Sequence, residues 1–172
     1  MRNKRTAKAA YPAVLGALAL VLLYLGSVAP TGNWGIVAVA GLFPAAAVAS
    51  VGLKAGFLCW AGASILAFFL IPEKFCVLLF AALFGLYPMV KSLTEQLRRK
   101  PVGYLLKLAF FNAAFTLIYL AMGSAVAGSL PPVLGSSVWL LYLTGNAVFL
   151  LYDYGFSRLI AFYLARIQRA IH

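Results

Sequence analysis

Few side chains in this chain are suited to acid–base, nucleophilic or metal chemistry, and in sequence they do not converge. The three acids, Glu73, Glu95 and Asp153, fall in three separate regions, and the single histidine, His172, is the last residue. Cys59 and Cys76 are each flanked by apolar residues, with no His or second Cys at ligand spacing, so they read as packing residues and no metal site is expected. Gly85 and its neighbours lie inside an apolar run, which is not the setting of a phosphate-binding loop. A catalytic constellation needs a nucleophile or base held near a partner. None is legible, so the chain is expected to be no enzyme and to need no cofactor. The polar residues left to explain are Lys107 and Asp153, the amides Asn112 and Asn146, and Thr116, Tyr119, Tyr142 and Thr144, all within apolar segments.

The elements that must position them are membrane helices. Hydrophobic residues make up 65% of 172 positions and charged residues 10%, whereas soluble domains are nearer half apolar and a quarter charged. A bilayer core needs roughly 20 apolar residues per helix. The pattern predicts an all-α polytopic membrane protein: one domain over 1–172, a compact bundle of six transmembrane helices. The spans fall at about 11–29, 36–51, 55–71, 75–90, 102–127 and 137–157. Turn chemistry separates them at 30–35, 52–54, 72–74 and 128–136. Pro44 predicts a kink or break in the second span and Pro88 a bend in the fourth. The polar linker 91–101 holds a capping-box pattern, Ser92 to Glu95, that would start a short surface helix. Alternatively the fourth helix simply continues through it. Residues 158–172 form a basic amphipathic tail.

The net charge of +11 suggests nucleic acid until the charges are placed. They sit at helix ends, so they read as topology determinants with some attraction for anionic membrane lipid, and no nucleic-acid partner is expected. With the N-terminus inside, every Lys and Arg but Lys74 falls at or near a cytoplasmic end, which predicts an N-in/C-in, multi-pass arrangement. The basic start, long apolar run and Ser27-Val28-Ala29 resemble a signal peptide, but the run is long and further spans follow it, so a retained first helix is expected.

Within the bundle, Asp153 is costly unless partnered. Depth in antiparallel fifth and sixth helices favours a structural Lys107–Asp153 ion pair, with Arg158 as the rival partner and a proton or substrate role as the functional alternative. Asn112 and Asn146 fall at similar depth. They either bond across the two helices or face a ligand cavity with Thr116, Tyr119, Tyr142 and Thr144. Asn33 and Trp34 sit in the first outer turn, where Trp34 is an interfacial anchor or a ligand lid. Ala9, Ala13 and Ala17 recur every four residues beside Gly16, which leaves one face of the first helix nearly flat. Ordinary packing inside the bundle explains such a row as well as an external partner does.

Six helices, both termini inside, an AxxxA pattern (Ala13-Val14-Leu15-Gly16-Ala17) in the cytoplasmic half of helix 1, and a proline-interrupted second helix together resemble the substrate-binding S-components of energy-coupling factor (ECF) vitamin transporters. The resemblance covers the layout of the whole chain but only Ala13 and Ala17 as specific residues. It implies a bacterial or archaeal cytoplasmic membrane and docking of helix 1 on a transmembrane coupling subunit that carries two ATPase subunits. It also implies capture of a small-molecule ligand from outside, in a pocket closed by the first outer loop and lined by helices 4 to 6. No signature for riboflavin, thiamine, biotin or folate is present. The low charge of the outer loops suits an apolar or aromatic, largely uncharged ligand, with Asn33, Trp34, Thr116, Tyr119, Tyr142 and Asn146 as candidate contacts. The alternative is a non-transporting scaffold of the cell-wall and shape machinery, which needs no pocket. A small channel or carrier working alone lacks the polar stripe it would need.

A reporter fused after residue 33, 73 or 133 is expected to report the outer compartment. Cytoplasmic reporter activity at those points would overturn the arrangement.

Overall fold

The structure is a computed structural model that describes residues 2–29, 32–97, 100–128 and 137–171, with the side chains of 2–9, 100, 127 and 166–171 excepted. Helices α1 (Arg2–Val28), α2 (Asn33–Ala40), α3 (Leu42–Val51), α4 (Leu53–Leu70) and α5 (Lys74–Leu79) lead into a π-helical turn, Phe80–Phe84. Then follow α6 (Tyr87–Glu95), α7 (Lys100–Gly128) and α8 (Val138–Ile171). No strand occurs among the described residues. Six stretches are long and apolar enough to cross a membrane: Ala10–Val28, Asn33–Val51, Leu53–Leu70, Lys74–Glu95, Pro101–Val126 and Val138–Ala165. The chain is an all-α polytopic membrane bundle. The fourth span is its centre: more than half of its apolar stretch is buried, against at most a third in any other span. The remaining helices surround it and turn Leu, Phe and Val side chains outward, as a lipid solvent permits.

Two spans are broken, each ahead of its proline. Pro44 lacks an N–H and its ring clashes with the carbonyl four residues back, that of Ala40. The second span accordingly breaks at Gly41, and Pro44 occupies the first turn of α3. Pro88 stands in the same relation to Phe84. There the fourth span widens into the π turn, with Gly85 donating to the Phe80 carbonyl at 2.8 Å, and Pro88 opens α6. The two breaks face one another. A Cβ built on Gly41 would lie 2.6 Å from the Phe84 carbonyl oxygen, so only glycine allows this approach. The indole Nε1 of Trp60 donates to the Ala81 carbonyl in the widened turn at 3.0 Å.

The linker settles in favour of helix continuation: α6 carries the fourth span through Lys91 and Ser92 to Glu95, so Ser92 caps nothing. Likewise α8 runs unbroken past 157, and the basic tail is its last part. Arg98 and Arg99 lie outside the described residues. At the opposite end, Lys74 Nζ donates to the Phe68 and Ile71 carbonyls (2.6 and 2.9 Å), which closes α4.

Gly41→Leu is expected to lower thermal stability by the equivalent of about 1–3 kcal/mol, because backbone rather than a flexible side chain must give way. Gly62→Ala, with nothing within 4 Å of the added Cβ, serves as the neutral control in the same melting experiment. Equal melting temperatures for the two variants would contradict the close approach of the two breaks.

Candidate functional site

Asp153 anchors a buried ionic cluster that ties α6, α7 and α8 together. Lys107 Nζ lies 3.2 Å from Asp153 Oδ2. The carboxylate also receives the ammonium of Lys91 and the hydroxyl of Tyr87, both at Oδ1. Lys91 reaches Ser157 Oγ at 2.7 Å and Glu95 Oε1 at 2.9 Å, and Lys107 reaches the same Glu95 oxygen at 3.2 Å. Two cations therefore meet two acids, and each lysine side chain is under 10% exposed while Glu95 is 54% exposed. The group pairs its charges among its own members, and Lys91, Glu95 and Ser157 also border a cavity of about 450 Å³. Arg158 takes no part in it: its guanidinium bonds the Tyr154 hydroxyl at 3.1 Å and lies over that ring.

Sequence reasoning paired Asp153 with Lys107 and missed Lys91. Lys91 had been read as a boundary charge because it ends the apolar run. The available signal was its spacing: Tyr87, Lys91 and Glu95 recur every four residues and so share one face of a continuous helix. Ser157 stands in the same relation to Asp153 on α8 and donates to the Asp153 carbonyl at 2.8 Å.

Above the cluster, Asn112 and Asn146 form a reciprocal amide pair, each side-chain N–H donating to the other's carbonyl oxygen at 2.9 and 3.0 Å. Each also donates to a carbonyl one turn back on its own helix (Leu108 and Tyr142, 2.8 Å). The Thr116 and Tyr142 hydroxyls bond each other at 2.7 Å. These four residues spend their polar groups on holding α7 to α8, as buried polar groups in apolar surroundings must. Tyr119 packs against the apolar core. Thr116, Tyr119, Tyr142 and Asn146 are not among the residues that line the crevice described next.

An opening does exist nearby. A crevice of about 440 Å³ lies between the second, fourth, fifth and sixth spans. Asn33 and Trp34 line it at the start of α2, which begins at Asn33 after Gly32 in the left-handed region (φ 78°). The remaining walls include Phe84 from the π turn, Phe111 and Phe115 from α7, and Thr144, Gly145, Phe149 and Tyr152 from α8. The second span thus contributes to the crevice beyond the first outer loop and helices 4 to 6 that the resemblance implied. Trp34 also meets Phe75 edge-on, ring centres 5.6 Å apart.

The small-residue row lies elsewhere. Ala13 and Ala17 are exposed, while Gly16 between them is buried against Cys59, whose carbonyl would lie 3.4 Å from an added Cβ. Ala13, Gly16 and Ala17 of α1 form a shallow groove of about 570 Å³ with Cys59, Gly62 and Ala63 of α4. Ala9 is on α1, but its side chain lies outside the described residues. The two thiols are free and buried, and the described residues contain no group of side chains able to hold a metal.

The fold and these sites define a six-span membrane protein with an internal ionic clamp, an aromatic crevice and a small-residue groove. Comparison of the chain with protein-family models, curated proteins and solved structures finds no match.

Asp153→Asn is expected to destabilise the bundle by about 3–5 kcal/mol, because it leaves two buried ammonium groups sharing one half-exposed carboxylate. Glu95→Gln, whose site is wetter, should cost clearly less. Thermal unfolding of the purified variants compares them directly. An Asp153→Asn protein as stable as the parent would mean that the clamp is not structural.

Proposed function

We propose that the chain is the substrate-capture subunit of an ATP-driven importer of the energy-coupling factor type. In this reading it takes a small, largely uncharged, vitamin-like molecule and docks through α1 on a transmembrane coupling subunit. The observation that carries the reading is the crevice. It holds enough space for a small molecule, and its walls come from four spans and from the first residues after the opening turn. The side chains there bear no formal charge, which suits the expected ligand. A scaffold has no use for such a space.

The groove on α1 and α4 supports the second half of the reading. Ala13 and Ala17 present methyl groups where a larger side chain would stand away from the bundle, so a partner helix could approach the backbone closely. Gly16, pointing inward, belongs to the bundle's own packing. ATP hydrolysis would be the work of partner subunits, and the membrane the bacterial or archaeal cytoplasmic one, with the crevice facing outward.

Ala13→Leu/Ala17→Leu is expected to fold, to keep any co-purified small molecule, and to lose association with the coupling subunit and hence uptake. Native mass spectrometry after gentle extraction reads all three. Unfolding of the double variant would reduce the row to core packing. Absence of both a bound small molecule and a coupling subunit from the parent protein would overturn the reading.

A further inference from the structure

The chemistry of the crevice points further than its size. Six aromatic side chains, Trp34, Phe84, Phe111, Phe115, Phe149 and Tyr152, line it. Phe111 lies nearly parallel to both Phe115 and Phe149 (15° and 20°), with ring centres 5.6 and 4.6 Å apart. Phe84 meets Tyr152 edge-on at 5.2 Å. Glycines 32, 35 and 145 add backbone without side-chain bulk. No Lys, Arg, His, Asp or Glu is among the lining residues. The nearest acid in sequence, Asp153, follows Tyr152 but is wholly engaged by Lys91, Lys107 and Tyr87.

Polar groups are few and differ in availability. The Tyr152 hydroxyl donates to the Ala38 carbonyl at 3.4 Å, and the Asn33 side chain stands near the Cys76 thiol. Among the described residues the Thr144 hydroxyl makes no hydrogen bond, and Thr144 lines the crevice.

Resting on the capture reading above, we infer that the crevice takes a neutral, flat aromatic or heteroaromatic ring carrying a single hydrogen-bonding edge, with Thr144 as the residue that meets that edge. A charged ligand would enter with no counter-charge: an anion would lose its hydration without return, and a cation would recover only part of it from the ring faces. Flat rings gain from edge-to-face and offset contacts with the six aromatic walls beyond what a saturated molecule of the same size gains. One unpaired hydroxyl selects for one polar edge, because a wholly apolar ring would leave Thr144 unsatisfied.

The test uses the full chain in lipid nanodiscs and four probes of one shape, read by equilibrium dialysis against empty nanodiscs. They are β-naphthol, β-naphthalenesulfonate, β-naphthyl trimethylammonium and decahydro-β-naphthol. Binding above the empty-nanodisc background is expected for β-naphthol, at least tenfold tighter than for the sulfonate, the ammonium or the saturated alcohol. Thr144→Val should weaken β-naphthol about five- to tenfold, and Ala38→Trp, which fills the crevice, should abolish it. Tighter binding of the ammonium or the sulfonate, lost in Ala38→Trp, would overturn the ligand class while leaving capture in place. Equal binding of the saturated alcohol would overturn the aromatic selection. Unchanged β-naphthol binding in Thr144→Val would overturn the role of Thr144. Binding that survives Ala38→Trp, or no binding of any probe, would remove the crevice as the site, whereas the capture reading itself stands or falls on the co-purified molecule and coupling subunit.

Discussion

One carboxylate governs the geometry of half the bundle. Asp153 draws Lys91 from α6, Lys107 from α7 and the Tyr87 hydroxyl to a single point. Helices in a bilayer have little hydrophobic reason to prefer one partner or one rotation over another, because lipid is as apolar as leucine. Charges at this depth are different, since any rotation that unpairs them strands an ammonium or a carboxylate. The cluster therefore sets the rotation of three helices more sharply than their apolar faces do. Glu95 is half exposed and marks where the cluster meets the polar end of the bundle.

The same clamp fixes the crevice. Tyr87 packs edge-on against Phe149 and Phe156 and tilted against Tyr152, with ring centres 5.1 to 5.7 Å apart. Phe149 and Tyr152 then form part of the crevice wall. A polar contact on one side of Tyr87 thus determines where apolar walls stand on the other. The fourth span adds the second constraint. Its π turn and the Gly41 break of the second span bring two backbones together, and both Phe84 and Ala38 reach the crevice from beside these breaks. An unbroken pair of helices would keep its side chains between the two backbones and leave less open space.

Much of this was legible in the sequence, and the misses share one cause. Apolar length and turn chemistry located six spans, although the fourth and sixth run on past their expected ends to Glu95 and Ala165, and the two prolines marked the irregular spans. What proline does not reveal is where the break falls. It frees the carbonyl four residues earlier, so Pro44 and Pro88 displaced the irregularities toward Gly41 and Phe84. Depth alone brought Asn112 to Asn146 and Lys107 to Asp153. Depth could not give rotation, and rotation decided the rest. Thr116, Tyr142 and Asn146 face the α7–α8 contact, whereas Thr144, between the last two in sequence, faces the crevice. The pairing of Lys91 with Asp153 was missed because a lysine at the end of an apolar run looks like a topology charge alone until the helix is known to continue.

The small residues of helix 1 carry two different constraints that sequence spacing merges. Gly16 is small because α4 passes close by: its Cβ position faces the Cys59 carbonyl, and Leu15, Ala47, Ala55 and Cys59 form a minor apolar cluster around that crossing. This packing is internal and would be required with or without a partner. Ala13 and Ala17 are under no such pressure, because they are exposed and border open space. A lipid-facing position in a membrane helix is commonly filled by a large apolar residue, as Val14, Leu18 and Val21 illustrate on the same helix. Small residues on both α1 and α4 border one groove, so the vacancy is a property of the surface rather than of one helix's composition. Within α1, the inward glycine answers to the crossing of α4, and the two outward alanines answer to nothing inside the bundle.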